Sequence, residues 1–214
     1  MKQISLHQVL PQVFAQRDDL VSDVWCQEVC FERGTSYLVE AGSGMGKSTF
    51  CSYLMGYRHD YSGQICFDEK DISRLSISQW VEIRQHQLSM LFQEMRLFPE
   101  LTAWENVDIK NRLTDQIDHA TIEQWFERLG ISDKLHVKAG ILSQGQQQRV
   151  AFIRALVQPC DFLVVDEPIS HLDDINARLM AEMVEEVKNH TKCGVIVTSI
   201  GKQLPVVYDK ILKL

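Results

Sequence analysis

A glycine-rich segment that ends in a lysine and two hydroxyl residues lies in the amino-terminal part of the chain. It fits the pattern Gly-x-x-x-x-Gly-Lys-Ser/Thr, with Ala41 at the first glycine position. Small residues let successive backbone N–H groups surround phosphate oxygens, Lys47 can reach the outer phosphates, and the Ser48 hydroxyl can ligate Mg²⁺. The pattern predicts a nucleoside-triphosphate site rather than an accidental turn. Its candidate residues are Ala41, Gly42, Ser43, Gly44, Met45, Gly46, Lys47, Ser48 and Thr49.

Two carboxylates, Asp166 and Glu167, follow a short apolar run. At the carboxyl edge of a parallel sheet, such acids lie beside a phosphate loop. Asp166 would hold Mg²⁺, and Glu167 would polarise a water for attack on the γ-phosphate. The alternative is a strand-to-loop junction with solvated acids, and the phosphate loop favours the catalytic interpretation.

Three apolar runs, at 36–40, 162–165 and 194–198, predict the strands that position these groups. They are short, rich in apolar and β-branched residues and bounded by turn-forming residues, which is typical of parallel strands covered on both faces. A helix is predicted at 47–55, with its positive amino-terminal end at the phosphates. The chain is therefore predicted to have an α/β core.

The middle of the chain is predicted to be helical. Thr121 with Gln124 predicts a capping box, apolar residues follow at helical spacing, and Gly130 predicts the helix end. Further helices are expected from near Ser143 to before residue 159 and from about 175 to 189. We therefore expect one domain over residues 1–214, with a helical subdomain at about 94–145 inserted in the α/β core.

Composition excludes several classes of protein. The 214 residues carry 29 acidic and 22 basic side chains, a net charge of −7, and 45% are hydrophobic. Disorder and nucleic-acid binding through bulk charge are therefore disfavoured. No apolar run approaches the ~18 residues of a membrane helix, and no signal peptide is expected. The six cysteines and seven histidines lack metal-binding spacing, so reduced thiols are expected rather than a metal site.

Further motifs follow the phosphate loop in a fixed order. Gln93 follows an apolar run, LSQGQ at 142–146 precedes QQR at 147–149, and SHLD at 170–173 follows the acidic pair. In this order they resemble the ATP-binding-cassette (ABC) ATPases over essentially the whole chain. The resemblance implies an ATPase that uses ATP and Mg²⁺, on a P-loop core with a mostly parallel sheet, flanking helices and an amino-terminal antiparallel β portion.

The same resemblance implies a head-to-tail dimer, with a second copy or with a paired ATPase subunit. Each ATP would lie between the phosphate loop of one subunit and the LSQGQ segment of the other, where Ser143 and Gly145 would contact the γ-phosphate. The implied catalytic residues are Glu167, Gln93 and Ser199, and the implied Mg²⁺ ligands are Ser48, Gln93 and Asp166. Gln146 and Asp173 complete the implied nucleotide and dimer contacts.

Three positions depart from the family pattern or match it poorly. Gln144 replaces the first of two usual glycines. Ser199 stands where a histidine usually contacts the γ-phosphate, so we hypothesise that hydrolysis is slow or that another group supplies the contact. Phe14 is the nearest candidate for stacking on adenine, and a core phenylalanine is the favoured interpretation.

The segments 71–76 and 91–107, with Arg84, resemble the branch that serves lipoprotein release, macrolide or peptide efflux and cell division. Phe98, Leu101 and Trp104 could line a groove for a membrane partner's coupling helix, or pack the helical subdomain. The chain ends soon after Ser199, which favours an export-type engine without a regulatory domain.

The resulting expectation is an ATPase that powers a transmembrane permease from the cytoplasmic face of the inner membrane, as a peripheral subunit with no nucleic-acid partner. The alternative is an ATPase that drives a membrane partner to regulate envelope enzymes or cell division without moving cargo. A soluble cassette protein of translation or DNA repair is a weaker third possibility.

Overall fold

The computed structural model describes residues 1–17, 19–42, 44–169 and 172–214. Ser43 of the phosphate loop, and residues 170 and 171 of the SHLD motif, lie outside the described residues. The strands, in chain order, are β1 (Gln3–Pro11), β2 (Glu28–Glu32), β3 (Ser36–Glu40), β4 (Tyr61–Phe67), β5 (Lys70–Asp71), β6 (Leu88–Leu91), β7 (Phe162–Asp166), β8 (Gly194–Ser199) and β9 (Lys210–Lys213). The helices are α1 (Lys47–Leu54), α2 (Ile77–His86), α3 (Ala103–Asn111), α4 (His119–Arg128), α5 (Gln144–Leu156) and α6 (Asp174–Thr191).

A five-stranded parallel sheet, in the order β6-β7-β8-β3-β9, forms the centre of the molecule. β7 and β8 are buried along their whole length, which explains the apolar runs that precede their polar last residues, Asp166 in β7 and Thr198 and Ser199 in β8. The three predicted strands are confirmed, each to within one residue at either end. Because parallel strands end at one edge, Glu40, Asp166 and Ser199 lie side by side there.

A second, antiparallel sheet has the order β2-β1-β4-β5 and confirms the expected amino-terminal β portion. An aromatic cluster packs between it and the parallel sheet. Phe31 meets Tyr37 edge-on at 4.9 Å between ring centroids, and Phe50 of α1 lies 5.6 Å from Phe31. This cluster anchors the helix that follows the phosphate loop.

Residues 94–145 contain α3, α4 and short turns, and α3 and α4 pack against α5. The predicted capping box at Thr121 is wrong. Asp118 caps α4 and accepts hydrogen bonds from the Thr121 backbone N–H at 2.9 Å and from its hydroxyl at 2.8 Å. An aspartate three residues earlier satisfies the same N–H, so the helix begins one turn sooner. Gly130 follows the helix end with a φ of 64°, as predicted.

None of the helices in the described part of the chain is long and apolar enough to cross a membrane.

Candidate nucleotide-binding site

The loop between β3 and α1 depends on glycines in left-handed conformations. Gly44 and Gly46 have φ values of 77° and 96°, where a side chain is strained. A Cβ atom on Gly46 would also come 2.9 Å from Cε2 of Phe14. Ala41 is not among the residues of positive φ, so its methyl group is compatible with the first position of the motif. The loop therefore leads from the sheet edge into α1, which is the context a phosphate loop requires.

Lys47 is held at the mouth of this loop. Its Nζ donates to the carbonyl oxygens of Ala41 at 3.1 Å and Gly42 at 3.0 Å, and the side chain is only 5% exposed. The same ammonium lies 3.7 Å from Oε1 of Glu167. The cation is thus positioned between the loop and the acidic end of β7, where the outer phosphates of a bound nucleotide would lie.

Asp166 ends β7 as a buried carboxylate, 4% exposed. Burial raises the pKa of Asp166 above its ordinary value, while a hydrogen bond from the Thr198 hydroxyl and the charge of Lys47 act against that rise. Mg²⁺ fits this donor set, because it is usually held by one or two carboxylates together with substrate phosphates and waters. Ser48 is exposed in the first turn of α1, as a hydroxyl ligand would need to be.

Glu167 occupies a strained position directly after β7. Its φ is 47°, which costs a non-glycine residue on the order of 1 kcal/mol or more and is common at functional sites. Its N–H donates to the Thr198 carbonyl at 3.2 Å, which ties the turn to β8. Its Oε2 accepts from Nε2 of Gln93 at 3.3 Å. Four predicted residues, Lys47, Gln93, Asp166 and Glu167, are thereby brought together.

The LSQGQ segment forms a separate structure at the start of α5. Ser143 and Gln146 make a capping box, in which the Ser143 Oγ accepts from the Gln146 N–H at 3.3 Å and the Ser143 N–H donates to Gln146 Oε1 at 3.0 Å. Ser143 and Gln144 are exposed, and Gly145 is partly exposed. The exposed amino-terminal end of α5 carries the partial positive charge of the helix dipole and can meet an anion from another molecule.

Asp173 and Ser199 are both engaged locally. Asp173 caps α6 through the Asn176 N–H at 2.8 Å, and this hydrogen bond lowers the pKa of Asp173. Ser199 is 1% exposed and its hydroxyl donates to the Lys202 carbonyl at 2.6 Å. Lys202 in turn reaches the start of α6, where its Nζ donates to the Leu172 carbonyl at 3.1 Å and lies 3.1 Å from Oδ1 of Asp174.

Phe14 is buried in the core, which confirms the favoured interpretation of this residue. Its ring lies under the Arg17 guanidinium at 5.2 Å and against Gly46. Phe14 therefore supports the phosphate loop from below.

A groove of about 370 Å³ lies between the α/β core and α3. Of the three residues predicted for such a groove, Phe98 lines it and is 51% exposed. Trp104 instead packs in the helical region, with ring centroids 5.1 Å from His119 and 6.5 Å from Phe126. Leu101 borders a smaller neighbouring depression. Phe98 therefore lies in a groove and Trp104 packs in the helical region, while docking of a partner's coupling helix in the groove stays a prediction.

Sequence reasoning missed the polar side chains that hold these groups in place. Thr198 binds Asp166, and Gln148 of α5 donates to the Pro168 carbonyl at 2.5 Å beside the acidic pair. A threonine within the Val/Ile run of β8 was the available signal for the first. Gln148 follows the LSQGQ segment without any local sign of its buried position.

The comparisons with known proteins identify the family of the chain. The family model described as ABC transporter matches residues 27–170. An uncharacterised ABC transporter ATP-binding protein of Mycobacterium tuberculosis is 32% identical over 85% of this chain and 56% of its own length, so the chain spans little more than half of that relative. The lipoprotein-releasing ATP-binding protein LolD of Leptospira interrogans is 32% identical over 78% of this chain and 72% of its own. The thiamine import ATP-binding protein ThiQ of Haemophilus ducreyi is 33% identical over 79% of each chain.

Among solved structures, the dimeric ABC transporter cassette MJ0796 superposes with a TM-score of 0.77 at 23% identity, over 91% of this chain and 87% of its own. That likeness concerns the fold. The family model and the relatives go further: this chain belongs to the ABC transporter family.

Proposed function

We propose that this protein is an ATPase subunit that binds and hydrolyses ATP with Mg²⁺ and passes the resulting movement to a membrane partner. The observation that carries the proposal is the convergence of Lys47, Gln93, Asp166 and Glu167 beside the phosphate loop. A loop, a cation, a buried carboxylate and a candidate base at one sheet edge supply the parts that phosphoryl transfer needs. Residues 1–214 would act as one nucleotide-binding domain, with 94–145 as its helical subdomain.

In the proposed mechanism, the N–H groups of the loop and Lys47 bind the phosphates. The candidate Mg²⁺ ligands are Ser48, Asp166 and Gln93, and Mg²⁺ would neutralise charge on the phosphate oxygens. Glu167 would accept a hydrogen bond from the attacking water and orient it towards the γ-phosphate. The Lys47 ammonium lies 3.7 Å from the Glu167 carboxylate. When the phosphates bind, Lys47 would pair with them instead, and the Glu167 carboxylate would become available to the attacking water.

We propose that the site is completed by a second subunit in a head-to-tail dimer. The exposed end of α5 would bring Ser143, Gly145 and Gln146 to the γ-phosphate of the facing subunit, and Asp173 would lie at the dimer interface. This arrangement explains why the LSQGQ segment presents a capped, exposed helix end rather than packing on its own phosphate loop.

The groove below α3 is the proposed dock for the membrane partner. It combines Tyr57 and Phe98 with the cations Arg84, Arg96, Lys110 and Arg154, and its lining among the described residues contains no acid. Burial, and then repulsion from Arg154, lowers the pKa of Lys110, and burial lowers the pKa of Arg154 to about 10. A partner segment with an apolar face and a carboxylate would fit this charge.

We propose export, with lipoprotein release as the leading role, and a peripheral position on the cytoplasmic face of the inner membrane. The relative LolD supports this role. Because ThiQ, by name an import protein, is equally similar, the proposal of export depends on the resemblance of residues 71–76 and 91–107. Co-purification from detergent-solubilised membranes would identify the partner, and its extracytoplasmic domain would distinguish transport from regulation of envelope enzymes.

The Glu167→Gln variant tests the ATPase proposal. Its amide cannot act as a base, so ATP hydrolysis should fall at least about 100-fold while ATP-dependent dimers accumulate. Gel filtration with and without ATP, together with steady-state phosphate release, measures both effects. Fast hydrolysis in a folded Glu167→Gln protein would rule out Glu167 as the base.

A further inference from the structure

Two cysteine thiols lie in contact at the edge of the parallel sheet opposite the phosphate loop. Cys160 lies two residues before β7, and Cys193 directly precedes β8. Both side chains belong to the same buried apolar cluster, and each thiol shifts the pKa of the other. Cys193 is fully buried, whereas Cys160 keeps an 8% exposed edge. Neither thiol has a part in the proposed ATPase site, so their proximity requires a separate account.

The beginnings of β7 and β8 are fixed relative to one another. Phe162 pairs with Gly194, and the Gly194 N–H donates to the Asp161 carbonyl at 2.8 Å. A Cβ atom on Gly194 would come 2.5 Å from Cε1 of Phe162, so the ring lies directly on the glycine. By extension of this register Cys193 lies opposite Asp161, and Cys160 precedes Asp161 in the turn that leads into β7. Because Cys160 lies outside the strand, the pleat does not dictate its side-chain direction, and both thiols lie in the same buried cluster.

The surroundings favour a thiolate at Cys193. The neighbouring Cys160 thiol lowers the pKa of Cys193 below that of a free thiol against the effect of burial, with help from Thr191 and the nearby Arg33. Arg33 is held in place by Asp161, at 2.8 Å between Nη1 and Oδ1. The thiolate is the nucleophilic form of cysteine, and here its neighbouring thiol is already in contact.

We propose that Cys160 and Cys193 form a site of reversible oxidation, at which a small peroxide converts the two thiols into one disulfide. Peroxide would enter at the exposed edge of Cys160. The Cys193 sulfur attacks one peroxide oxygen, the O–O bond breaks, and the departing hydroxide takes a proton to become water. The Cys160 sulfur then displaces the oxygen from Cys193, the S–S bond forms, and a second water leaves with the Cys160 proton. Both thiols are oxidised and hydrogen peroxide is reduced.

The disulfide would stabilise the fold without entering the nucleotide site. It closes residues 160–193, a segment that contains β7 and α6, and therefore restricts the unfolded chain. The thiols lie at the amino-terminal ends of β7 and β8, whereas Asp166 and Ser199 lie at the opposite ends. We expect a rise of several degrees in Tm on oxidation, and ATP affinity unchanged within about twofold.

The test uses the full-length protein, treated with hydrogen peroxide in its native state, alkylated, and digested without reduction. Mass spectrometry should find a peptide pair that links Cys160 to Cys193 and is two hydrogen atoms lighter than the free peptides. Dithiothreitol should reverse the link and the gain in Tm. The Cys160→Ser variant should not form it, whereas Cys66→Ser, which removes a different buried thiol, should form it as the wild type does.

Two results would overturn the proposal. One is full alkylation of both thiols under conditions that have oxidised the exposed Cys26. The other is a link from Cys193 to a cysteine other than Cys160. If Cys160→Ser fails to fold, the peptide map of the wild-type chain is sufficient to test the proposal, because it identifies the linked residues directly. Neither result depends on ATP hydrolysis, so the ATPase proposal stands or fails separately.

Discussion

Replacing Ser143 by alanine removes a helix cap and a proposed phosphate contact at the same time, and the structure allows the two losses to be separated. The Ser143 oxygen accepts the Gln146 N–H at 3.3 Å, which leaves the hydroxyl proton for another acceptor. α2 begins with an equivalent capping box, in which Ser76 accepts the Gln79 N–H at 3.3 Å and the Ser76 N–H donates to Gln79 Oε1 at 2.9 Å. Ser76→Ala is therefore a control for capping, and because the Ser76 hydroxyl also donates to Gln79 Oε1 at 3.0 Å, its loss of stability should be at least as large.

The expected magnitudes differ between stability and activity. Loss of a serine cap costs about 1 kcal/mol, and for a chain of this size that lowers Tm by about 2–4 °C. Both Ser143→Ala and Ser76→Ala should show this loss. A hydrogen bond to a charged group contributes about 1.5–3 kcal/mol, which corresponds to a fall of about 10- to 150-fold in kcat/KM. Only Ser143→Ala should show that fall.

Thermal unfolding and steady-state ATPase assays on the two variants and the wild type measure both quantities. Ser143→Thr keeps the cap and the hydroxyl, so it should retain most of the activity. Equal ATPase rates in Ser143→Ala and Ser76→Ala would refute the phosphate contact, because capping would then account for the whole effect. A fall in activity that Ser143→Thr does not rescue would refute the assignment to the hydroxyl.

Ser199→His should raise the ATPase rate by about tenfold or more, the value of one charge-assisted hydrogen bond; an unchanged rate in a folded variant means that residue 199 does not limit turnover. Asp166→Asn should abolish hydrolysis and change the pH dependence of stability. Burial raises the pKa of Asp166 in the folded state, so above about pH 3.8 the folded chain still holds a proton that the unfolded chain has lost. The free energy of unfolding therefore falls as the pH rises from there to the folded pKa of Asp166. Urea unfolding at several pH values should show that Asp166→Asn lacks this fall, and parallel curves would contradict it. Lys110→Glu should prevent co-purification with the membrane partner, whereas Lys110→Arg should co-purify as the wild type does. The ATPase rate of the isolated Lys110→Glu chain should be unchanged. Undiminished co-purification of Lys110→Glu would exclude the cationic groove as the docking site.

The parts of the fold that could be predicted are those set by local sequence. β3 and β8 are short, mostly apolar runs between turn-forming residues, which is the pattern typical of a strand covered on both faces. The phosphate loop is equally local, because its conformation depends on glycines such as Gly46 that tolerate positive φ. Ser143 was identified as a helix start because cap and helix are adjacent in sequence.

Contacts between distant segments could not be predicted in the same way. Gln93 and Glu167 are 74 residues apart, and only the order of strands in the sheet brings their side chains together. The groove cations come from separate helices and a loop, so no spacing in the sequence signals their cluster. The cap of α4 shows that a local prediction can also fail. Asp118 and Thr121 can both cap a helix, and the observed cap is Asp118, which gives the longer helix, rather than the predicted Thr121.

One helix connects the three regions that the proposed function requires. α5 is capped by Ser143, contributes Gln148 beside the acidic pair, and carries Arg154 near its end. The Arg154 guanidinium donates to the carbonyl oxygens of Met95 and Arg96, two successive residues of positive φ that closely follow Gln93. Because these hydrogen bonds hold a strained turn, a shift of α5 would move the turn with it. A partner that binds Arg154 in the groove would therefore act on the same rigid helix, α5, as a nucleotide that binds Ser143. Gln93 of the proposed ATPase site lies next to the turn that Arg154 of α5 holds.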